Sequence, residues 1–455
     1  MSSQRSARQG FSFIGMVGGV MALLKLKGKY DECAYRQAAD DDEEGRVALT
    51  SPSVDNVNGE SRIALLDTEI PNSSRRTRKK KACCMCCGVD CGLLWKAIGI
   101  VLGLFTLYYG YKALRWSLTD APTGLEDLPA FSTSLGCLNA PYTYNKTEVT
   151  TTIPIGTRHH DHAFDIRGWG VGTITILDGD ADSKDVKYEM TIGSDKEDFL
   201  DNIQFVMPDI NEDGIVTRSR YILETSNPPG VDTKYCMRFD VKMYIPPNLK
   251  KLHVASHANT HLKFAPGARA AKVEELFVTL FTTNENNIIV SSADIAAEKI
   301  SLEVYRGWIV GDASVVSELD ISTQRGDGVT NLKITPSAPS DPANPEKAFI
   351  RTTTGAGRSD LTVITKKEYK RQIESTHTSS RNADMYLTYR QAEFNGKVEL
   401  VSKSYTVTGA KPFKAPVGSG DGENQDGPKW THFVGNQDGT DAIYVNSRGW
   451  TGLYF

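Results

Sequence analysis

Short runs in which apolar and polar residues alternate dominate the chain beyond residue 150. A period of two, with Val, Ile, Thr, Tyr and Phe at the apolar positions, is typical of β-strands that bury one face. Gly, Asn, Asp and Pro separate the runs, and windows with helical periodicity are scarce. The pattern predicts an all-β domain. The clearest runs are Gly172–Leu177, Val186–Ile192, Arg238–Ile245, Glu275–Phe281, Ile300–Arg306, Glu318–Gln324, Ser359–Thr365, Asp384–Arg390 and Lys397–Lys403.

The strands between residues 251 and 410 recur at roughly 17–30 residues, a spacing typical of solenoid repeats. Each unit runs as a strand, a short polar turn and a second strand, as in Val304–Ile334. A single unit buries little apolar surface alone, whereas stacked units share a continuous core. We therefore predict a β-solenoid, similar to a parallel β-helix, that follows one transmembrane helix. A β-sandwich is the alternative because the spacing is irregular.

A different pattern, continuous and apolar, occupies Leu93–Ala113. About 20 residues at ~1.5 Å each cross the hydrocarbon layer of a bilayer. Lys96 and Lys112 lie near the two ends, and Trp95 and Tyr108 belong to aromatic belts at the interfaces. The run predicts one membrane span.

The flanking charges predict the orientation of that span. Six basic residues lie between Arg75 and Lys81, whereas Asp120, Glu126 and Asp127 follow the span. Positive charge stays in the cytosol, so we expect a type II protein with its C-terminal part outside or in a lumen. The plasma membrane or the secretory pathway is the expected location. The apolar stretch Phe11–Leu24 resembles a signal-peptide core, but no small-x-small cleavage motif follows it.

These patterns divide the chain into six regions. A cytosolic tail that is polar enough to be disordered is followed by the span, a Pro/Thr/Ser-rich stalk and three β regions. The predicted bounds are 1–91 for the tail, 92–115 for the span, 116–150 for the stalk, 151–250 for a first β region, 251–410 for the repeats and 411–455 for a C-terminal tail with capping strands.

The eight cysteines divide in the same way. Only Cys137 and Cys236 follow the span, so they are expected to form a disulfide in an oxidising compartment, and two free thiols are the alternative. Closing a loop of about 100 residues would contribute on the order of 4 kcal/mol. The juxtamembrane thiols beside the basic cluster predict S-palmitoylation and contact with membrane lipid. They are Cys83, Cys84, Cys86, Cys87 and Cys91.

Three further features carry candidate chemistry. Asp209, Asn211 and Asp213 match the start of a calcium loop, but Arg220 replaces the closing Glu, so no cofactor is expected unless Ca²⁺ binds there. Asn145 begins an Asn-Lys-Thr acceptor site for a glycan. Gly99 and Gly103 have the small-xxx-small spacing that allows two spans to form a homodimer. The net charge of −4 does not indicate nucleic acid as a partner.

Three segments resemble the putative-adhesin, β-strand-repeat family, and in particular its fungal, membrane-anchored type. They are His162–Asp180, Tyr244–Val254 and Val304–Gly328. The resemblance covers about 150–430 and implies a solenoid-like sheet that attaches to surfaces. The family has no established catalytic residue set, so none is carried over to this chain.

Together these observations predict a non-catalytic, adhesin-like outer domain for cell-surface or cell-wall interaction. Its expected ligand is a wall polysaccharide or a surface protein. A carbohydrate-active enzyme on the same scaffold is one alternative, because paired carboxylates can be distant in sequence. A secretory-pathway scaffold or cargo protein is another. No nucleophile elbow, phosphate loop or cysteine–histidine signature is present in the sequence.

Overall fold

The structure is a computed structural model. It describes residues 16–27, 29, 85–86, 89–118, 123–213, 215–225, 236–267, 273–324, 327–339, 341–366, 368–413 and 429–455. The chain forms two compact units, Met1–Ala121 and Pro122–Phe455. Most of the tail predicted to be disordered lies outside the described residues, as do Cys83, Cys84 and Cys87.

The first unit contains a helix, Cys91–Leu118, and a short antiparallel ribbon of β1 (Met85–Cys86) and β2 (Val89–Asp90). Gly92–Arg115 is long and apolar enough to cross a membrane, and no other helix among the described residues has both properties. Residues 16–27 are also helical. Val17 from this segment is buried together with Ala97 and Val101 of the long helix. The N-terminal apolar stretch thus packs against the predicted span.

The second unit is all-β, as predicted, apart from three 3₁₀ turns at Thr133–Leu135, Tyr144–Lys146 and Glu197–Asn202. Its strands are β3 (Tyr142–Thr143), β4 (Val149–Pro154), β5 (Asp161–Gly168), β6 (Val171–Asp178), β7 (Asp185–Ser194), β8 (Ile203–Val206), β9 (Arg220–Thr225), β10 (Met237–Ile245), β11 (Lys251–Ser256), β12 (Asn259–Phe264), β13 (Glu275–Leu280), β14 (Ile288–Ser291), β15 (Lys299–Val304), β16 (Trp308–Val315), β17 (Glu318–Thr323), β18 (Val329–Pro336), β19 (Ala348–Thr354), β20 (Ser359–Ile364), β21 (Ile373–Ser379), β22 (Met385–Gln391), β23 (Gly396–Thr408), β24 (Lys411–Pro412), β25 (His432–Val434) and β26 (Asp441–Tyr454).

From β11 to β20, each strand pairs in parallel with the strand two positions later in the chain. Two rows of strands result. Row 1 contains β5, β11, β13, β15, β17, β19 and β21, and row 2 contains β6, β12, β14, β16, β18, β20 and β22. The rows continue across the predicted boundary at residue 250, because β11 pairs with β5 and β12 pairs with β6. Antiparallel pairing, which is usual in a β-sandwich, is absent between the described strands of either row.

Apolar residues at alternate positions form ladders that run through the core. In row 1, Leu252 lies beside Leu276, Leu276 beside Ile300, and Ile300 beside Leu319. All four are at most 2% exposed, and they belong to one continuous cluster of buried side chains from both rows. Burial of each such side chain contributes roughly 1.5–3 kcal/mol, so the alternation in the sequence directly stabilises the stacked arrangement.

Additional strands flank both ends of the rows. At one end, β7 pairs with β10, β4 and β3, and β8 pairs with β9. At the other end β26 lies between the rows and β23, and it pairs in parallel with β21, β22 and β23. The strands β24 and β25 then pair antiparallel with each other, and β25 also pairs with β23. Open parallel edges are thereby covered, which limits pairing with other chains.

Part of the predicted stalk packs on row 2. Residues 123–137, which we name the strap, place Leu125 and Leu128 against Ile288 and Trp308. The side-chain amide of Asn331 donates to the Thr123 carbonyl at 2.8 Å. The C-terminal end of the strap is Cys137, which is bonded to Cys236. The apolar residues of the strap are isolated and follow neither a helical nor a strand period, so the sequence did not predict that they pack on row 2.

Candidate ligand-binding site

Outward-facing side chains of four adjacent strands meet near one end of row 1. The order of these strands is β9, β5, β11 and β13. In register, Arg220 lies beside Ala163, which lies beside His253. One pleat further along, Asp165 lies beside Ala255. Since alternate residues of a strand share one face, these side chains all lie on the outer surface of row 1.

A cavity of about 380 Å³ opens between these strands. The small side chains of Ala163 and Ala255 leave the space, and larger residues surround it. The lining is Asp161, Ala163, Phe164, Asp165, Arg218, Ser219, Arg220, His253 and Ala255. The volume lies within the range of roughly 300–1,000 Å³ that is usual for small-ligand sites.

Asp165 is the most constrained polar group of this cavity. The residue is only 4% exposed. Its Oδ2 accepts hydrogen bonds from Nε of Arg167 at 2.7 Å and from Nη2 of Arg220 at 2.9 Å. Its Oδ1 is buried and accepts no hydrogen bond from any residue that the structure describes. The nearest ring nitrogen, Nε2 of His257, is 3.9 Å away.

An unsatisfied buried acceptor is costly, by about 1–3 kcal/mol, and more where the group is charged. Asp161 adds a second such atom, because its Oδ1 is also buried without a partner in the described part of the chain. A ligand that donates hydrogen bonds would recover this free energy. The two oxygens therefore make the cavity a candidate binding site.

The charges of the cavity lining balance. The carboxylates of Asp161 and Asp165 are matched by the guanidinium groups of Arg218 and Arg220, and Arg167, which lies outside the lining, also donates to Asp165. Burial lowers the pKa of His253 from its usual 6.5, although the charge of Asp165 opposes this shift. The imidazole is therefore neutral at pH 7 and offers a hydrogen-bonding group, not an additional charge.

Behind the cavity floor, Ser219 is hydrogen bonded to a buried histidine. Nδ1 of His162 lies 2.6 Å from the Ser219 hydroxyl, and Nε2 contacts the hydroxyl of Tyr188. Complete burial lowers the pKa of His162 to about 3. An imidazole with such a low pKa is a weak general base at neutral pH, since efficient bases have pKa values close to the operating pH. The arrangement therefore acts as a satisfied core network.

The structure brings one predicted pair of residues together. The sulfur atoms of Cys137 and Cys236 are 2.14 Å apart and their Cα atoms 5.7 Å apart, in agreement with the predicted disulfide. The bond joins the strap to the residue that precedes β10.

The predicted calcium ligands Asp209, Asn211 and Asp213 lie on an exposed turn. Oδ1 of Asn211 accepts a hydrogen bond from the backbone N–H of Ile215 at 2.7 Å, so this oxygen already has a partner within the turn. In the described ranges, no three His, Cys, Asp or Glu side chains come together as a metal site. The prediction stays that no cofactor binds unless this turn takes up Ca²⁺.

The remaining predicted sites are exposed or outside the description. Asn145 lies on an exposed 3₁₀ turn, where a glycan would have room. A Cβ atom added at Gly99 or Gly103 would meet nothing within 4 Å, so this face of the helix is open. Cys86 lies in β1 and Cys91 begins the long helix, while the other thiols predicted to be acylated fall outside the described residues.

Comparison with known proteins gives limited similarity. The chain matches no family model and no curated protein. Among solved structures, it is similar to a putative cell adhesion protein from Clostridium sporogenes ATCC 15579, with 8% identity over 68% of this chain and 98% of that chain and a TM-score of 0.19. A putative adhesin from Bacteroides fragilis NCTC 9343 shows 11% identity over 68% of this chain and 97% of the other, with a TM-score of 0.25.

A putative adhesin from Parabacteroides merdae ATCC 43184 shows 13% identity over 54% of this chain and 94% of the other, with a TM-score of 0.19. All three proteins are bacterial, so they do not address the fungal, membrane-anchored type. At these identities and TM-scores, the similarity says nothing about the ligand of this chain.

Proposed function

We propose that this protein is a single-pass type II membrane protein whose outer domain is a non-catalytic, adhesin-like β-solenoid. The domain binds a wall polysaccharide or a surface protein at the cavity around Asp165. The observation that carries the proposal is the buried Oδ1 of Asp165, which accepts no hydrogen bond from the described residues and belongs to a side chain of the cavity lining.

The parallel, in-register pairing of both rows supports the solenoid. Each repeat contributes one strand to row 1 and the next strand to row 2, and the same core positions recur at every step. Stacking of this kind creates long outer faces of regularly spaced side chains, which repeat proteins use as binding surfaces.

The distribution of charge and cysteine supports the topology. The basic cluster Arg75–Lys81 precedes the helix, which fits a cytosolic N-terminus. The disulfide Cys137–Cys236 and the exposed acceptor Asn145 follow it, which fits an oxidising compartment. Acylation of the cysteines from Cys83 to Cys91 would hold the adjacent segment at the lipid surface.

The cavity favours binding over acid–base catalysis. The histidine behind its floor, His162, has a pKa of about 3 and is fully engaged by Ser219 and Tyr188. The Oδ2 atom of Asp165 is held by the guanidinium groups of Arg167 and Arg220, at 2.7 and 2.9 Å. These contacts fix the side chain in place, and its oxygens are acceptors for hydrogen bonds from a ligand.

The experiment compares the full-length protein in nanodiscs with its Asp165→Asn variant. Each is tested for binding to surface polysaccharide and to surface-protein fractions of cells that express it. We expect binding to one fraction and at least about tenfold weaker binding by the variant, which corresponds to ~1.4 kcal/mol. Asp312→Asn, an exposed position in β16 of row 2, is the matched control. Absence of binding to both fractions, or equal binding by the Asp165 variant, would contradict the proposal.

A further inference from the structure

From the cavity, a line of outward-facing residues with low exposure crosses β5, β11 and β13, and we name this line, with the side chains on both sides of it, the groove. Its floor consists of Asp165, Ala255 and Thr279, which are aligned in register on the outer face of row 1. Although these residues point outward, they are only 4%, 7% and 8% exposed. Larger neighbours on both sides therefore enclose the floor. Two strand spacings of ~4.8 Å give this floor a length of roughly 10 Å.

Aromatic rings form both walls of the groove. On one side, His253 and Phe277 are in edge contact, with ring centroids 6.2 Å apart. On the other side, His257 stacks on Phe281 at 4.5 Å, and Phe281 contacts Tyr305 at 5.3 Å. Phe277 is 38% exposed, so part of its ring is accessible to a ligand.

The polar groups of the groove select the kind of atom that can bind. Oδ1 of Asp165 is an acceptor and requires a donor from the ligand. The guanidinium groups of Arg167 and Arg220 keep further N–H donors and require an acceptor. An ammonium group can donate to Oδ1, but it offers no acceptor to the guanidinium groups. Phosphate accepts but is repelled by the carboxylate at Oδ1. A hydroxyl group both donates and accepts hydrogen bonds, and it carries no charge.

We propose that the groove binds a pyranose ring of a glycan chain. Vicinal hydroxyls of the sugar donate to Oδ1 of Asp165 and accept from Arg220, while the C–H face of the ring packs on the aromatic wall of His257, Phe281 and Tyr305. This inference rests on the proposed function and specifies its ligand, since the alternative of a surface protein would not need a groove with paired hydroxyl-binding groups.

The probes are immobilised neutral and acidic pyranosides. Inorganic phosphate tests whether the groove binds an anion instead, and choline tests whether it binds a cation. The full-length protein in nanodiscs is compared with three variants. Asp165→Asn removes the acceptor charge, Ala255→Leu fills the floor without changing a polar group, and Phe281→Ala removes part of the aromatic wall. Asp312→Asn is again the control, and circular dichroism establishes that each variant is folded.

We expect at least one pyranoside to bind, and we expect that neither phosphate nor choline binds. Asp165→Asn and Ala255→Leu each weaken that binding by tenfold or more, and Phe281→Ala weakens it by a smaller factor. If a surface protein binds through Asp165 while every pyranoside fails, this inference is wrong and the proposed function stands. Glycan binding that survives both Asp165→Asn and Ala255→Leu would show that the groove is not the site. Failure of surface fractions and pyranosides together contradicts both proposals.

Discussion

Two histidines buried in the core make the β unit sensitive to acid. His162 in β5 contacts Ser219 and Tyr188, while His377 in β21 lies 2.8 Å from the Thr352 hydroxyl and 2.9 Å from that of Tyr389. They are 1% and 0% exposed. Burial lowers the pKa of each to about 3, because a charged imidazole would lose its hydration there.

The size of the effect follows from proton linkage. In the unfolded chain the pKa of histidine is ~6.5, so unfolding takes up protons as the pH falls below that value. The stabilisation from each neutral histidine is fully present above pH 6.5 and is lost progressively down to about pH 3. The full loss is about 5 kcal/mol per residue, and the loss by pH 5 is about 2 kcal/mol per residue. Both histidines together therefore cost ~4 kcal/mol at pH 5.

The assay is urea unfolding of the full-length protein in detergent, followed by circular dichroism at pH 8, 7, 6 and 5. His377→Gln keeps a polar side chain but does not titrate, so the loss between pH 8 and pH 5 should be smaller by ~2 kcal/mol. His159→Gln, at an exposed position, is the matched control and should leave the profile unchanged. A free energy of unfolding that stays flat from pH 8 to pH 5, or a His377→Gln profile identical to the wild type, would refute the reasoning.

The disulfide, the acidic turn and the span can each be tested by one substitution. Cys137→Ser should lower the free energy of unfolding by up to ~4 kcal/mol, because the bond spans 99 residues; denaturation with and without reductant measures it, and an unchanged midpoint would contradict the disulfide. Calorimetry should detect no Ca²⁺ binding at millimolar concentrations, because Arg220 replaces the closing Glu and Oδ1 of Asn211 already accepts from Ile215, whereas heat that Asp209→Ala removes would show that the loop binds Ca²⁺. Gly103→Leu should weaken self-association of the span in a membrane two-hybrid assay, and equal association by the variant would argue against a helix dimer at Gly99 and Gly103.

The strands were predictable because alternation is a local property of the sequence. The run Glu275–Phe281 reads as a strand without any knowledge of its neighbours, and the structure has β13 there. The parallel pairing of β13 with β11 and β15 depends on residues about one repeat away. The regular spacing of the strands could be recognised in the sequence, but their pairing partners could not. The position of β26 between β21 and β23 was not predictable, because the chain passes this position and returns to it later.

The candidate site was missed for the same reason. Asp165 and Arg167 are two residues apart on one strand, a pattern that occurs on many solvated strand faces. Their importance arises only where Arg220 of β9 and Ala255 of β11 lie beside β5. By contrast, the disulfide was accessible from the sequence, because the position of two cysteines beyond one apolar span limits their possible partners.

The central claim is that the helix Gly92–Arg115 separates a cytosolic tail from an outer β unit, and protease protection tests it most directly. In sealed vesicles with the cytosolic face outward, protease should remove the tail and leave a protected fragment that contains the Cys137–Cys236 disulfide. Detergent should then expose that fragment to digestion. Digestion of the β unit in intact vesicles, or release of the whole protein by alkaline carbonate, would contradict the account.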